Sequence, residues 1–326
     1  NKILALLSGV PLAIELAASF LKKRTNKSEA TFAAELEARG LAALSKRGAS
    51  ARQDSMDILM RGSVEAVGDD ARRVLSLLGR LAFAPFSVDV CAAALSLDQF
   101  AAADVLEELS ELSLVRRLEN TDGLYRLAHG LVHVHCGTAM AALTTDVAEK
   151  LLDFYVAAVA DDAVTVLAVA DVRAHVTRLV RDADAYWSQV AKLAEALISY
   201  FKARGVGGQG LVACRQLVRA NHELGDKRAE AGALVRYGDA LNSSGRPRDA
   251  VVEYERALAL VDETSMDTDE RLATASIQVA LGDVLWRVGN SDRAETLFDK
   301  CVAIREELLA ADSPDLAASY NSLGNL

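Results

Sequence analysis

The segment LVRYGDALNSSGRPRDAVVEYERALAL, residues 234–260, carries the pattern that decides the fold. It lays over VALGDVLWRVGNSDRAETLFDKCVAI, residues 279–304. Gly238 falls on Gly282, Leu241 on Leu285 and Gly245 on Gly289. Ala250 falls on Ala294, Tyr254 on Phe298 and Ala257 on Cys301. A third copy starts at SYNSLGNL, where Gly324 takes the place of Gly282, so the copies are spaced 44 and 42 residues apart. Small residues let two antiparallel helices approach, and the aromatic fills the gap between copies. A unit of this size cannot bury its apolar face alone and stacks on its neighbours.

This order of glycine, glycine, alanine, aromatic and small residue resembles the tetratricopeptide repeat. The spacing exceeds the usual period of about 34 residues. It is similar to the long-helix variety found in kinesin light chains, as is AIREELLAADSPDLAASYNSLGNL. A weaker copy is expected from Ala194 to Leu217. The resemblance implies an α-solenoid whose first helices line a concave face. By matched position that face takes in Asp239, Asn242, Asp283, Trp286, Arg287, Asn321 and Asn325. Asn and Arg can bond a peptide backbone there, and Trp286 can anchor an apolar side chain. The implied partner is a protein or peptide; a plain structural spacer is the alternative.

Composition agrees with a helical, globular chain. Of 326 residues, 51% are hydrophobic and 25% charged, and only four are proline, which favours helix nearly throughout. A formal net charge of −10 disfavours a nucleic-acid groove as the main surface. Cys91, Cys136, Cys214 and Cys301 are scattered and read as buried thiols of a reducing, cytoplasmic setting. The run Ile3 to Leu21 followed by KKR resembles a stop-transfer segment. Glu15, Gly9 and Pro11 interrupt it, so no membrane span is expected. Asp161, Asp162 and Asp171 exclude a span in the apolar run 155–172 as well. The chain opens on Asn and stops inside a helical pattern, as a fragment would.

Upstream of the repeats the pattern is a series of helices, the last three of them followed by a hairpin. TFAAELEARGLAALSKRG (31–48) reads as a helix capped at Thr31. Val74, Leu75, Leu77, Leu78 and Leu81 form the apolar face of another. Ser87 caps SVDVCAAALSL and Asp98 starts DQFAAADVLEELSELSL. LVRRLENTDGLYRLA then alternates on each side of a glycine-containing turn, the signal of a two-stranded hairpin. Three helices and a hairpin are the layout of a winged helix.

These pieces, in this order, resemble the end of the NB-ARC nucleotide-binding switch. GVPLAIELAA resembles that family's G-x-P-L-A motif, DDARRVLSLLGRLAFAPFSVDVCAAAL the start of its winged helix, and VLEELSELSLVRRLENTDGLYRLAHGLV its hairpin and Met-His-Asp motif. The resemblance implies that Pro11 packs on the adenine and His129 meets the β-phosphate of ADP. It departs at Ala128 and Gly130, which replace the family's methionine and aspartate. Loss of the aspartate puts an ADP-locked off state in doubt. It implies residues 1–58 as a helical subdomain and 59–140 as the winged helix. Residues 141–190 then connect to repeats at 191–326.

No G-x-x-x-x-G-K-[ST] occurs in the chain. Alone it is therefore expected to bind no cofactor and to hydrolyse no ATP. ADP or ATP with Mg would belong to a longer protein, which could self-associate on activation. The residues also admit plainer readings: Pro11 as a helix break, His129 as a capping or core histidine. His129, His133, His135 and Cys136 have helical spacing for a metal. Gly130 stands where H-E-x-x-H has its glutamate, and no metal is expected. GVGGQG (205–210) follows the helical ALISYFKAR, not a strand, and reads as a turn. The leading expectation is a regulatory sensor fragment. A DNA-binding winged-helix regulator is the alternative from another class, opposed by Asp98, Asp104, Glu107, Glu108 and Glu111 on the would-be recognition helix. A plain scaffold is the third.

Overall fold

The structure, a computed structural model, describes residues 11–23, 28, 30, 31, 33, 34, 63–121, 123–138, 140, 142–205, 210–262 and 265–326. Elements are numbered over these residues. The chain is mainly helical, with one small sheet. It divides into two compact units: the chain up to Tyr155 together with Ala170–Arg178, and Val156–Val169 together with Leu179–Leu326.

In the first unit, α1 is Pro11–Lys23. Pro11 opens it, where its missing N–H and fixed φ suit a helix start; the helix expected before it lies outside the described residues. Leu16 and Ala17 are buried. Arg116 holds both carboxylate oxygens of Glu15 at 2.7 and 2.8 Å. The helix expected at 31–48 falls mostly outside the described residues. Its cap is Ser28 and not Thr31, since Ser28 Oγ accepts from the Thr31 N–H at 3.2 Å.

Helix α2 is Asp69–Arg80, with Asp69 and Asp70 in its first turn and Arg80 in its last, favourable for the helix dipole. Its apolar stripe is core: Val74, Leu75, Leu77 and Leu78 are buried. Strand β1 (Phe86–Ser87) leads into α3 (Val88–Leu95) and α4 (Gln99–Glu111). Ser87 precedes α3 as expected but its side chain makes no capping bond. Asp98 does cap α4, accepting from the Ala101 N–H at 2.9 Å. Strands β2 (Val115–Arg117) and β3 (Leu124–Leu127) form the expected hairpin, with Val115 opposite Leu127 and Arg117 opposite Tyr125. The sheet has a third strand that the alternation does not reveal: β1 pairs with the other edge of β3, Phe86 against Tyr125. Two residues cannot show a period of two; the pair is held by rings stacked at 6.4 Å.

Helix α5, Gly130–Thr138, crosses α2 at backbone contact. A Cβ on Gly79 would stand 2.5 Å from the carbonyl carbon and oxygen of Cys136. Only glycine allows that approach.

Helices α6 (Thr145–Val159) and α8 (Ala170–Arg181) each run from one unit into the other; α7 (Ala163–Val166) lies between them in sequence. The second unit continues with α9 (Trp187–Ala203), α10 (Leu211–Glu223), α11 (Lys227–Ser243) and α12 (Pro247–Leu260). Then come α13 (Thr268–Arg287), α14 (Ser291–Leu308) and α15 (Pro314–Gly324). Pairs α11/α12 and α13/α14 are the two matched copies. α9/α10 is the earlier, weaker one, and α15 is the first helix of the next. Both matched turns use the same stop. The Gly245 N–H bonds Asn242 O while that of Arg246 reaches back to Leu241 O; Gly289 and Asn290 do the same to Trp286 and Leu285. Gly245 and Gly289 sit at φ +77° and +86°, the left-handed close of a Schellman motif.

The matched glycines and aromatics meet directly. A Cβ on Gly238 would lie 2.6 Å from the Tyr254 ring, and one on Gly282 would lie 2.6 Å from the Phe298 ring. Each ring therefore covers the glycine of its own copy, a contact additional to the expected filling of the gap between copies. The join between copies is wider: Leu241, Ala250 and Tyr254 pack in one cluster with Leu281, Val284, Leu285, Ala294 and Phe298. The long period comes from long second-copy helices, 20 residues in α13 and 18 in α14. All four cysteines are free and buried. Among the described residues no helix is long and apolar enough to cross a membrane.

Candidate functional site

The predicted partner-binding residues lie on α11, α13 and α15, the successive first helices, which pack side by side. Their centre is a polar cluster. The buried Tyr254 donates its hydroxyl to Asp239 Oδ1 at 2.6 Å. Burial, then the Asp239 bond and charge, push the Tyr254 phenol well above its usual range; Asp283 adds to this and Arg287 opposes it. Burial also raises the Asp283 carboxyl, against a hydrogen bond with Ser322 and the charge of Arg287. The structure thus brings Asp239, Asp283 and Arg287 together around Tyr254 and Ser322. Asn242 is half-buried, whereas Trp286, Arg287, Asn321 and Asn325 are exposed. Asn325 ends α15, its N–H bonding Asn321 O at 3.1 Å.

Sequence matching missed two members of this polar cluster. Tyr254 scored only as a core aromatic, because Phe298 at the matched position hides the use of its hydroxyl. Ser322 falls on Arg236 and Ala280 in the quoted copies, so no shared residue type marks its position. Beside Asp239, a cavity of about 420 Å³ opens between α9, α10 and α11, lined by Phe201, Lys202, Cys214, Arg236 and Ser243 among others. Arg236 is paired there with Glu195 at 3.1 Å. Burial pushes the Cys214 thiol up to about 11, so it is no nucleophile at neutral pH.

Of the two residues implied by the nucleotide-switch resemblance, Pro11 is placed by its backbone at the start of α1. His129 is exposed and caps α5. Its carbonyl accepts from the N–H groups of Val132 and His133, and its Nδ1 accepts from that of Leu131 at 3.1 Å. With Nδ1 so used, the neutral ring carries its proton on Nε2. His133 and His135 take other directions: His133 meets Leu81 O at 2.8 Å and His135 is buried. Burial pushes the Cys136 thiol up to about 12, away from the thiolate a metal needs. Among the described residues no three His, Cys, Asp or Glu side chains converge on a metal position. Around 205–210, α9 precedes and α10 follows, and Gly205 has φ +68°; residues 206–209 lie outside the described set.

Residues 273–326 match the family model of the tetratricopeptide repeat, so the C-terminal part of the chain carries these repeats. No curated protein matches the chain. Among solved structures, it is similar to a Signal Transduction ATPase with Numerous Domains (STAND) protein with a tetratricopeptide repeat sensor from Pyrococcus horikoshii. The identity is 10% and the TM-score 0.34, over 95% of this chain and 56% of that one. A likeness at that level carries neither fold nor function across. The chain spans little more than half of that protein's length.

Proposed function

We propose that the chain is the regulatory part of a nucleotide-dependent signalling switch of the NB-ARC type, with its repeats as the sensor. The observation that carries the reading is the polar strip on consecutive first helices, exposed Asp239 and Arg287 with half-buried Asp283 between them, and Trp286 exposed beside it. Tetratricopeptide repeats bind proteins through such first-helix surfaces, and an exposed Trp beside ordered polar groups suits an extended peptide. In this reading α2, α3, α4 and the three-stranded sheet are a winged helix. His129, with Nε2–H free of its capping bond, donates to a nucleotide phosphate held by an upstream P-loop and Mg. The repeats then bias the switch by binding one of its two arrangements more tightly.

The chain by itself is not an ATPase, because it supplies no P-loop. A DNA-reading role is disfavoured by chemistry: Asp104, Glu107 and Glu111 are exposed along α4 and repel phosphate.

A peptide array probed with the purified chain tests the sensor. Trp286 is 42% exposed, so Trp286→Ala should leave the melting temperature unchanged and abolish binding to peptides that the wild type retains. Equal loss of stability and binding would put Trp286 in the core. Peptides bound equally by both proteins would remove the strip from the site.

A further inference from the structure

We infer that His133 is a proton-operated latch for α8: uncharged, it holds Arg178 against the α2–α5 crossing; protonated, it releases it. The geometry is a conflict at one atom. His133 Nε2 stands 2.8 Å from Leu81 O and 2.7 Å from Arg178 Nη1. A carbonyl oxygen only accepts and a guanidinium only donates. A bare Nε2 can accept from Arg178, whereas an Nε2–H can serve only Leu81. The imidazolium has no bare nitrogen, and it would set a second positive charge at hydrogen-bond distance from Arg178. Protonation therefore satisfies Leu81 and expels Arg178.

What Arg178 holds gives the switch its consequence. Its Nη2 donates to Gly79 O at 2.9 Å. Gly79 is where α2 and α5 touch backbone to backbone. One turn earlier on α8, His175 is 2% exposed. Its Nε2 lies 2.8 Å from Pro85 O, so it must donate. Its buried Nδ1 has no hydrogen-bond partner. A proton added there would be an unpaired buried N–H. The seating of α8 through His175 on Pro85 and through Arg178 on His133 thus favours uncharged rings at both histidines.

The groups acting on His133 are few. From α8 come Arg178 and, through its own coupling, His175. The 81–85 segment gives the Leu81 carbonyl and the Phe83 ring at 5.6 Å, and α2 reaches it through Arg178. Asp171 is a carboxylate that acts on His175 and raises its pKa against the burial. Burial, and secondarily Arg178, hold the His133 pKa below its usual value, against the Leu81 bond; burial does the same to His175. A depressed histidine pKa means that the unfolded chain takes up the proton first. The stabilisation is complete above the usual histidine pKa of about 6.5 and is lost as pH falls below it.

Hydrogen–deuterium exchange on the full chain, corrected for intrinsic rates, tests the latch at about pH 7.5 and about pH 5.5, either side of the usual histidine value. Peptides covering 170–181 should lose protection at the lower pH, severalfold or more. His133→Gln should keep α8 protected at both, because its amide offers an oxygen to Arg178 and a nitrogen to Leu81 at once. Arg178→Met should show low protection at both and no step. Nitrogen NMR of His133, followed downward in pH, reads the same event directly: Nε2 should be unprotonated at neutral pH and gain its proton only below the usual histidine range. PH-independent protection in the wild type would overturn the proposal. So would an undiminished step in His133→Gln, which would assign the titration to His175.

Discussion

Gly282→Ala and Gly232→Ala place the same methyl group in two helix interiors and should move stability in opposite directions. Alanine is about 1 kcal/mol better than glycine inside a helix. Gly232 is exposed within α11 and its added Cβ would meet nothing within 4 Å. That substitution should therefore gain stability, by up to about 1 kcal/mol. At Gly282 the Cβ would stand 2.6, 2.9 and 3.0 Å from three ring carbons of Phe298. Ordinary carbon contacts are about 3.5–4.0 Å, so the ring must retreat by about 1 Å. Phe298 is 1% exposed and packed in the cluster that joins the two copies, so retreat disturbs both copies. Overpacking of this kind costs about 1–3 kcal/mol, which offsets or exceeds the helix gain. The two variants should differ by about 1–3 kcal/mol, or several degrees in melting temperature at about 2–4 °C per kcal/mol. Thermal unfolding followed by circular dichroism reads this. Phe298→Leu should be less harmful in the Gly282→Ala background than alone, because the two changes share one space. Equal rises in melting temperature for the two alanine variants would refute the direct glycine-on-ring contact.

Two further outcomes follow from the same geometry. Gly79→Ala should be worse than Gly282→Ala, at or above about 3 kcal/mol, because the Cβ meets Cys136 backbone, which cannot rotate aside; urea unfolding should show the first unit lost and the second unit's transition kept. Tyr254→Phe should cost about 1.5 kcal/mol, the low end for a bond to a charged acceptor, since exposed Asp239 regains water; an unchanged urea midpoint would mean that the phenol–carboxylate bond contributes nothing.

The repeats were legible because each structural contact is written twice. Gly238 with Tyr254, and Gly282 with Phe298, are one packing solution at two places, and alignment exposes it without any knowledge of the third dimension. The left-handed stops at Gly245 and Gly289 were legible for the same reason. In the first unit α3 and α4 end in equivalent stops, but with Ser96 and Ser113 at φ 55°. Serine there carries no stop signal. Strand β1 was invisible because two residues have no period, and its pairing is decided by β3, far along the chain. The capping role of His129 was one of its two plain readings. Its geometry follows from where α5 starts, a boundary that spacing does not fix. The polar strip was half legible: matched positions found Asp239, Asp283 and Arg287, but not the phenol that ties them together.

Glycine does the same work in both units and could be read in only one. In the second unit the atom facing the glycine is a side chain, so sequence records both partners as a glycine and an aromatic sixteen residues apart in each copy. In the first unit the facing atoms are the backbone of Cys136 and Gly137, which every residue type possesses, so the partner leaves no mark. Gly79 has a second duty that its counterparts lack, since its carbonyl takes Arg178. Close helix approach and the hold on α8 therefore converge on one peptide unit. A methyl at Gly79 pushes α5 away, and with it His133, a second group that holds Arg178. The crossing of α2 and α5 and the seating of α8 are thus one cooperative arrangement, and the charge on His133 is the element of it that pH can change.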